Sequence, residues 1–289
     1  MSDLIDQLIE LAFREDLGDG DHTTQSSIPS NAYGKAKLLI KEDGVLAGVK
    51  IAEKVFHRLD PEIQVDVFIE DGANVKVGDI AFIASGAIRS LLEGERLVLN
   101  IMQRMSGIAT LTKVYNKQLE GTKTRILDTR KTTPGMRLLE KEAVRIGGGV
   151  NHRIGLFDMI LLKDNHVDFA GGIKNAIEGA QKYLKEKNKS LKIEIEVRNF
   201  DELNQVLAMG GVDRIMLDNF SVEDTRKAVS IVEGRIPLES SGGITLETIR
   251  GYALTGVDFI SVGALTHSVK SLDMSLKAIP YKNEEAYEH

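Results

Sequence analysis

The 289-residue sequence has no cysteine, no surplus of basic residues and no apolar run long enough to span a bilayer. Without thiols, disulfides, thiolate metal centres, iron–sulfur clusters and a cysteine nucleophile are all excluded. A transmembrane helix takes roughly 18 consecutive apolar residues, and no stretch approaches that. Lysine and arginine number 37 against 43 acidic residues, a formal charge of −6; a nucleic-acid binder would normally show a basic face or stripe. The opening Met1-Ser2-Asp3-Leu4-Ile5-Asp6 is acidic and amphipathic rather than basic and then apolar, so no secretory signal is expected. Also lacking are low-complexity sequence and any H-x-x-x-H spacing, which leaves histidine metal ligation weakly supported. These absences point to a soluble cytoplasmic protein with no membrane or nucleic-acid partner. Its 42% hydrophobic content is ample for a large core.

Two patterns of secondary structure divide what is present. Ser2–Asp16 reads as an amphipathic helix, with Leu4, Ile5, Leu8, Ile9 and Leu11 at helical spacing. Gly34–Gly48, Ile63–Ile69 and Ile80–Ala84 read as strands, and residues 51–59 as a helix between them. Ile63, Val65, Val67 and Ile69 alternate with polar residues, as in a half-buried antiparallel sheet. From Ser90 a long helical stretch runs toward Leu119, and strands and helices then alternate. The strands are Arg125–Asp128, Met159–Leu162, Lys192–Val197, Arg214–Leu217, Pro237–Glu239 and Phe259–Val262. Helices fall at Met136–Ile146, Ile173–Leu184, Asp201–Met209, Val222–Val232 and Leu246–Leu254, with a last helical segment near Leu272–Ala278. Such alternation favours a parallel sheet covered by helices. The expected boundary separates residues 1–110, an N-terminal α/β sandwich with the long connecting helix, from 111–289, a barrel domain. It leaves open whether the opening helix packs on the barrel.

Each strand of the second half ends in polar or glycine residues. A barrel gathers such ends around one mouth, where catalytic groups sit. An open doubly wound sheet would instead carry a glycine fingerprint after its first strand, and here the glycine-rich ends come last. Ser240-Ser241-Gly242-Gly243 and Ser261-Val262-Gly263 suit a phosphate, because glycine admits close backbone approach while N–H groups and a following helix N-terminus supply donors. One such turn would be ordinary; two on the final strands make phosphate binding the better reading.

A cationic stretch stands out against the acidic background. Arg130, Lys131, Arg137, Lys141, Arg145, His152, Arg153, Lys163 and His166 are opposed between them only by Glu140, Glu142, Asp158 and Asp164. Guanidinium groups bind carboxylates bidentately and lysines act as point charges, so the cluster fits a small polyanion. A solvated helix face accounts better for Arg137, Glu140 and Lys141, whereas Arg130, Lys131 and Lys163 directly follow apolar strands. His22, His166 and His267 read as structural or surface histidines. Glu196 and Asp218 end adjacent strands and suit magnesium, which takes one or two carboxylates plus substrate oxygens. For Glu194, deeper in its strand, structural ion pairing is the better reading.

The run Asp128-Thr129-Arg130-Lys131-Thr132-Thr133-Pro134-Gly135 is highly specific, as is Leu99-Asn100-Ile101-Met102-Gln103-Arg104-Met105-Ser106-Gly107. With Glu15–Asp21, Ile193–Val197, Leu217–Phe220 and the two glycine turns, the chain resembles the quinolinate phosphoribosyltransferase family, also called nicotinate-nucleotide pyrophosphorylase (carboxylating), over nearly its whole length. The resemblance implies an incomplete, about seven-stranded α/β barrel preceded by an N-terminal α/β sandwich. The six strands read here fit it if a seventh lies near Leu272–Ile279. It further implies a homodimer with shared active sites, which could assemble further. The implied reaction joins quinolinate and phosphoribosyl pyrophosphate into nicotinate mononucleotide with loss of pyrophosphate and carbon dioxide, using magnesium and no organic cofactor. Carried over by position, Arg130, His152, Arg153 and Lys163 grip the substrate carboxylates, and Arg104 reaches into the neighbouring subunit. Lys131, Glu196 and Asp218 are the catalytic set organising phosphoribosyl pyrophosphate and magnesium. Thr129, Ser241, Gly242, Gly243, Ser261, Val262 and Gly263 complete the binding surface. Competing readings are a related phosphoribosyltransferase for another acid, a Schiff-base lyase or aldolase using Lys163, and a non-catalytic metabolite-binding protein.

Overall fold

The computed structural model describes residues 2–280. The chain starts with helices α1 (Ser2–Leu17) and α2 (His22–Ser27), then strands β1 (Tyr33–Ile40) and β2 (Gly44–Val45). Helix α3 (Val49–Leu59) leads to β3 (Gln64–Val67), β4 (Asn74–Val75), β5 (Ile80–Ala87) and the 31-residue helix α4 (Ile88–Gln118). There follow β6 (Arg125–Leu127), α5 (Arg137–Ile146), β7 (Ile160–Leu162), α6 (Asp164–Ala170), α7 (Ile173–Glu186) and β8 (Ile193–Val197). The chain continues through α8 (Phe200–Met209), β9 (Arg214–Asp218), α9 (Val222–Val232) and β10 (Leu238–Ser241). It then forms α10 (Ile249–Ala253), β11 (Phe259–Ser261), α11 (Ala264–His267) and β12 (Met274–Ile279).

The chain divides into two compact units that interleave in sequence. The first takes residues up to Leu111, Pro134–Gly147 and the chain from Val269; the second takes Thr112–Thr133 and Gly148–Ser268. Within the first, β12, β1, β5 and β3 form an antiparallel sheet in that order. Alternation along β1 sends Ala36, Leu38 and Ile40 inward. Phe56 of α3 meets Phe82 of β5 edge-to-face, with centroids 6.4 Å apart.

The segment Leu272–Ala278, expected to be helical, is instead strand β12. It pairs antiparallel with β1 from Lys35↔Ile279 to Ile40↔Met274. Met274 and Leu276 are buried while Lys277 is exposed, a period of two that serves a sheet rather than a helix face. It is therefore not the seventh strand sought for the barrel. The predicted strand over 34–48 is broken after Ile40, and the helix expected at Leu246–Leu254 contracts to Ile249–Ala253.

In the second unit six parallel strands lie in the order β6, β11, β10, β9, β8, β7. A single parallel bridge, Leu127↔Val150, adds one further pairing beside β6. The result is an unclosed α/β barrel. All five residues of β8 are buried, as expected for a parallel sheet covered by helices. No described helix is long and apolar enough to cross a membrane.

Helix α5, read as a solvated charged face at Arg137, Glu140 and Lys141, is not one. Glu140 and Lys141 are buried. Arg104 Nε of α4 donates to Glu140 Oε1 across 2.7 Å, and Nη2 lies 2.7 Å from the same oxygen. The burial is possible because the carboxylate has a guanidinium partner.

Gly107 gives a test of packing. In a solvated helix Gly→Ala stabilises by about 1 kcal/mol, but a Cβ here would stand 2.2 Å from the Lys270 carbonyl oxygen. Gly107→Ala is expected to destabilise by about 1–3 kcal/mol through overpacking. Urea denaturation would measure it, and a raised midpoint would refute the close approach.

Candidate active site

The C-terminal ends of the barrel strands surround a cavity of about 700 Å³. Parallel strands that end together bring residues far apart in sequence to one mouth. Thr129, Arg130 and Lys131 enter after β6, Lys163 after β7, Glu196 on β8 and Asp218 on β9. Ser241, Gly242 and Gly243 follow β10, while Ser261, Val262 and Gly263 close the circuit after β11. His152 and Arg153 also line the cavity. Among the site residues read from sequence, only Arg104 does not line it; Arg104 lies on α4, held by Glu140.

Local hydrogen bonds fix the cationic wall. Lys131 N–H donates to Thr129 Oγ1 at 3.0 Å, and Thr266 Oγ1 donates to the Lys131 carbonyl at 2.9 Å. The buried Asp128 accepts the His152 N–H at 2.8 Å. Asp158 ties the following loop by accepting the N–H groups of Ile154 and Gly155. Arg153 Nη1 donates to the Met159 carbonyl at 3.2 Å. Burial, then the neighbouring Arg130 charge, lowers the Arg153 pKa, as two cations crowded into one wall require. An anion bound there would relieve that repulsion.

The acidic residues have the opposite problem. Glu196 is pushed above the usual carboxylate range by burial and then by the Asp218 charge, with Lys163 opposing. Two carboxylates that repel one another match a divalent cation held by one or both of them and by substrate oxygens. Asn219 Nδ2 donates to Asp218 Oδ2 at 2.9 Å and orients it.

Glycine is required at position 242. Its φ is 101°, and a Cβ there would lie 2.2 Å from Asn219 Oδ1. Of the two glycine turns, only Ser261–Gly263 runs directly into a helix, α11; α10 begins several residues beyond Gly243.

At the cavity wall, where Glu239 and His152 line it, and behind that wall lies a charge cluster that sequence reasoning missed in part. Neither Glu239 nor Arg214 was singled out, and for Glu194 only structural ion pairing was expected. His152 Nε2 lies 3.1 Å from Glu194 and 3.4 Å from Glu239, while Arg214 Nη1 lies 3.0 Å from Glu239 and 3.8 Å from Glu194. The available signal was a glutamate inside a short strand between Leu238 and Ser240. His267, read as structural or surface, and Asn219 also line the cavity. His166 Nδ1 accepts the Lys163 N–H at the start of α6, a structural role.

The ligand atoms of His152, Glu194 and Glu239 lie within 4.8 Å of one another, close enough to hold a metal. The hydrogen bonding favours an ion network instead. His152 Nδ1 lies 2.7 Å from the Arg153 N–H, so in the neutral ring the proton sits on Nε2, facing the carboxylates. A metal at Nε2 would need that proton removed, and Arg214 already neutralises Glu239. Burial pulls the His152 pKa down, but Glu194 and Glu239 outweigh it and lift it to about 9. The amide at Nδ1 resists a second proton, and two carboxylates against one amide leave the direction upward. Glu194 is pushed up to about 7 by burial and by Glu239; Glu239 is held down despite its burial by His152, Ser261 and Arg214.

A barrel mouth lined by cations, paired carboxylates and glycine turns defines an enzyme for phosphorylated, anionic small molecules. Two family models cover the chain: "Quinolinate phosphoribosyl transferase, N-terminal domain" at residues 21–106 and "Quinolinate phosphoribosyl transferase, C-terminal domain" at 108–277. The chain belongs to the quinolinate phosphoribosyltransferase family. It is 46% identical over 285 residues to a chloroplastic nicotinate-nucleotide pyrophosphorylase [carboxylating] of Arabidopsis thaliana, covering 93% of this chain and 81% of that one. It is 41% identical over 282 residues to a probable nicotinate-nucleotide pyrophosphorylase [carboxylating] of Bacillus subtilis, covering 98% and 96%. The crystal structure of NadC from Streptococcus pyogenes superposes with a TM-score of 0.91 at 39% identity, covering 97% of this chain and 99% of that one.

The His152 pKa carries a stability prediction. It stands above the ordinary value of 6.5, so the ring's contribution is complete below that pH and lost as pH rises through about 9. The difference in unfolding free energy between the protein and His152→Gln should therefore shrink across that window. A difference independent of pH would contradict the raised pKa.

Proposed function

We infer that the protein transfers phosphoribosyl from phosphoribosyl pyrophosphate to quinolinate with decarboxylation, a step of NAD biosynthesis, and is thus a pentosyltransferase. One observation carries this reading: a single cavity contains a cationic wall, two repelling carboxylates and two glycine-bearing turns. Family membership and the printed names of the relatives support it.

Arg130, Arg153 and Lys163 grip the two carboxylates of quinolinate, with His152 adding to the same wall. Thr129 and Lys131 face the phosphoribosyl donor, whose phosphates take N–H groups from Ser241–Gly243 and Ser261–Gly263. Glu196 and Asp218 would hold magnesium, directly or through water and substrate oxygens, and when bound it offsets charge on the leaving pyrophosphate. No organic cofactor enters this scheme. The pyridine nitrogen attacks C1 of the ribose while the C1–oxygen bond to pyrophosphate breaks, and the two carboxylates offset the positive charge that develops at the ribose. The bond to the 2-carboxylate then breaks, carbon dioxide leaves, and the electron pair remains at C2 beside the cationic ring nitrogen until a proton replaces it. Holding both reactants in attack geometry is the chief service of this chain.

Arg104 is assigned to the active site of a second copy, so the working unit is a homodimer with shared sites. The setting we assign is the cytoplasm, which fractionation of the source cells tests.

With magnesium and phosphoribosyl pyrophosphate, carbon dioxide release is expected from quinolinate and no product from nicotinate; the reverse result removes the assignment. Arg130→Ala should abolish turnover with the circular dichroism spectrum unchanged, and wild-type activity would remove Arg130 from the carboxylate clamp. Mixing inactive Arg104→Ala and Lys163→Ala chains should restore activity in heterodimers. Verified heterodimers without activity would exclude sharing.

A further inference from the structure

His152 is held on three sides, and of the holding groups only Arg153 has a part in the reaction described above. Its backbone N–H is bound by Asp128, its Nε2 faces Glu194 and Glu239, and its Nδ1 takes the Arg153 N–H. Sheet order explains the convergence. Strands β8, β9 and β10 are neighbours, and they contribute Glu194, Arg214 and Glu239 respectively. Arg214 stands between the two carboxylates and packs 4.4 Å from the Phe259 ring centroid, which holds the guanidinium in place. Arg130 is the further charge on this side of the cavity, felt by Arg153.

Such an arrangement is poor value as a stabilising device. Apolar side chains of similar volume often serve a core as well as a buried ion network or better. What the network supplies is orientation. With Nε2 3.1 Å from Glu194 and 3.4 Å from Glu239, the ring cannot turn without breaking those contacts. His152 directly precedes Arg153, so the segment that brings both to the cavity is anchored through that ring.

We propose that Glu239 and Glu194 are positioning residues: facing the His152 ring at its Nε2, they hold the His152–Arg153 segment at the carboxylate-binding wall. Both act through His152, and Arg214 offsets part of the repulsion between the two carboxylates. The inference rests on the proposed function in one respect, that this wall receives the carboxylates of the pyridine substrate.

The test uses the full chain with Glu239→Gln, which keeps the shape and removes the charge. The KM for quinolinate should rise roughly ten-fold, the loss typical of removing an outer partner of a functional side chain. The KM for phosphoribosyl pyrophosphate should change far less. Ring-labelled 15N spectra, with the His152 signal identified from His152→Gln, should show its pKa falling from about 9 toward 6.5. Glu239→Asp should recover part of both effects, and Glu194→Gln gives a second reading should Glu239→Gln not fold. An unchanged His152 titration with both KM values raised alike would make Glu239 merely structural and overturn the proposal. So would a wild-type ring that titrates at or below 6.5. A lowered pKa with raised KM for a different pyridine acid, quinolinate being inert, would support the positioning role and overturn the substrate assignment instead.

Discussion

Two glutamates buried inside a parallel sheet set the terms for the rest of the catalytic unit. An ionised carboxylate taken out of water costs several kcal/mol or more unless it is paired. Glu194 and Glu239 sit on strands that flank β9 on either side, so the compensating cation has to come from β9 or from the cavity side, and both routes are used. Arg214 provides the first and His152 the second. Remove either and a buried negative charge is left facing apolar strands. The position of His152, and with it the Arg153 wall, follows from charge balance at and behind the cavity wall as much as from what the cavity binds.

The cavity itself separates its charges. Arg130, Arg153, Lys131 and Lys163 crowd together on segments after β6 and β7, while Glu196 and Asp218 lie on β8 and β9. Burial first, and then the crowding of like charges on each side, push Arg153 down and Glu196 up. A ligand with two carboxylates relieves one set, and a divalent cation the other. The same strain that costs stability becomes affinity.

Much of this was legible in the sequence, for a definite reason. A buried strand that ends in polar residues announces both its own direction and the mouth of a barrel, so Arg130, Lys163, Glu196 and Asp218 could be placed at strand ends from local pattern alone. Glu239 could not, because its meaning depends on His152 and Arg214, which are distant in sequence. Glu140 and Lys141 have the spacing and charge of a surface helix, and it is Arg104, on another helix, that helps make burial of Glu140 tolerable. Leu272–Ala278 reads equally as one helical turn or one strand. What decides it is β1, more than two hundred residues earlier, which no local window contains.

That last pairing bears on how the chain is made. In the antiparallel sheet β1 lies between β5 and β12, so one of its two edges is covered by a strand that follows all the barrel strands in sequence. During synthesis β1 and β5 can pair early, yet the Leu38–Ile40 edge stays open while every barrel strand is produced. An uncovered apolar edge is a template for other chains. The nascent protein therefore carries that open edge until β12 has emerged. A stop shortly before β12 would leave the edge bare to neighbouring chains.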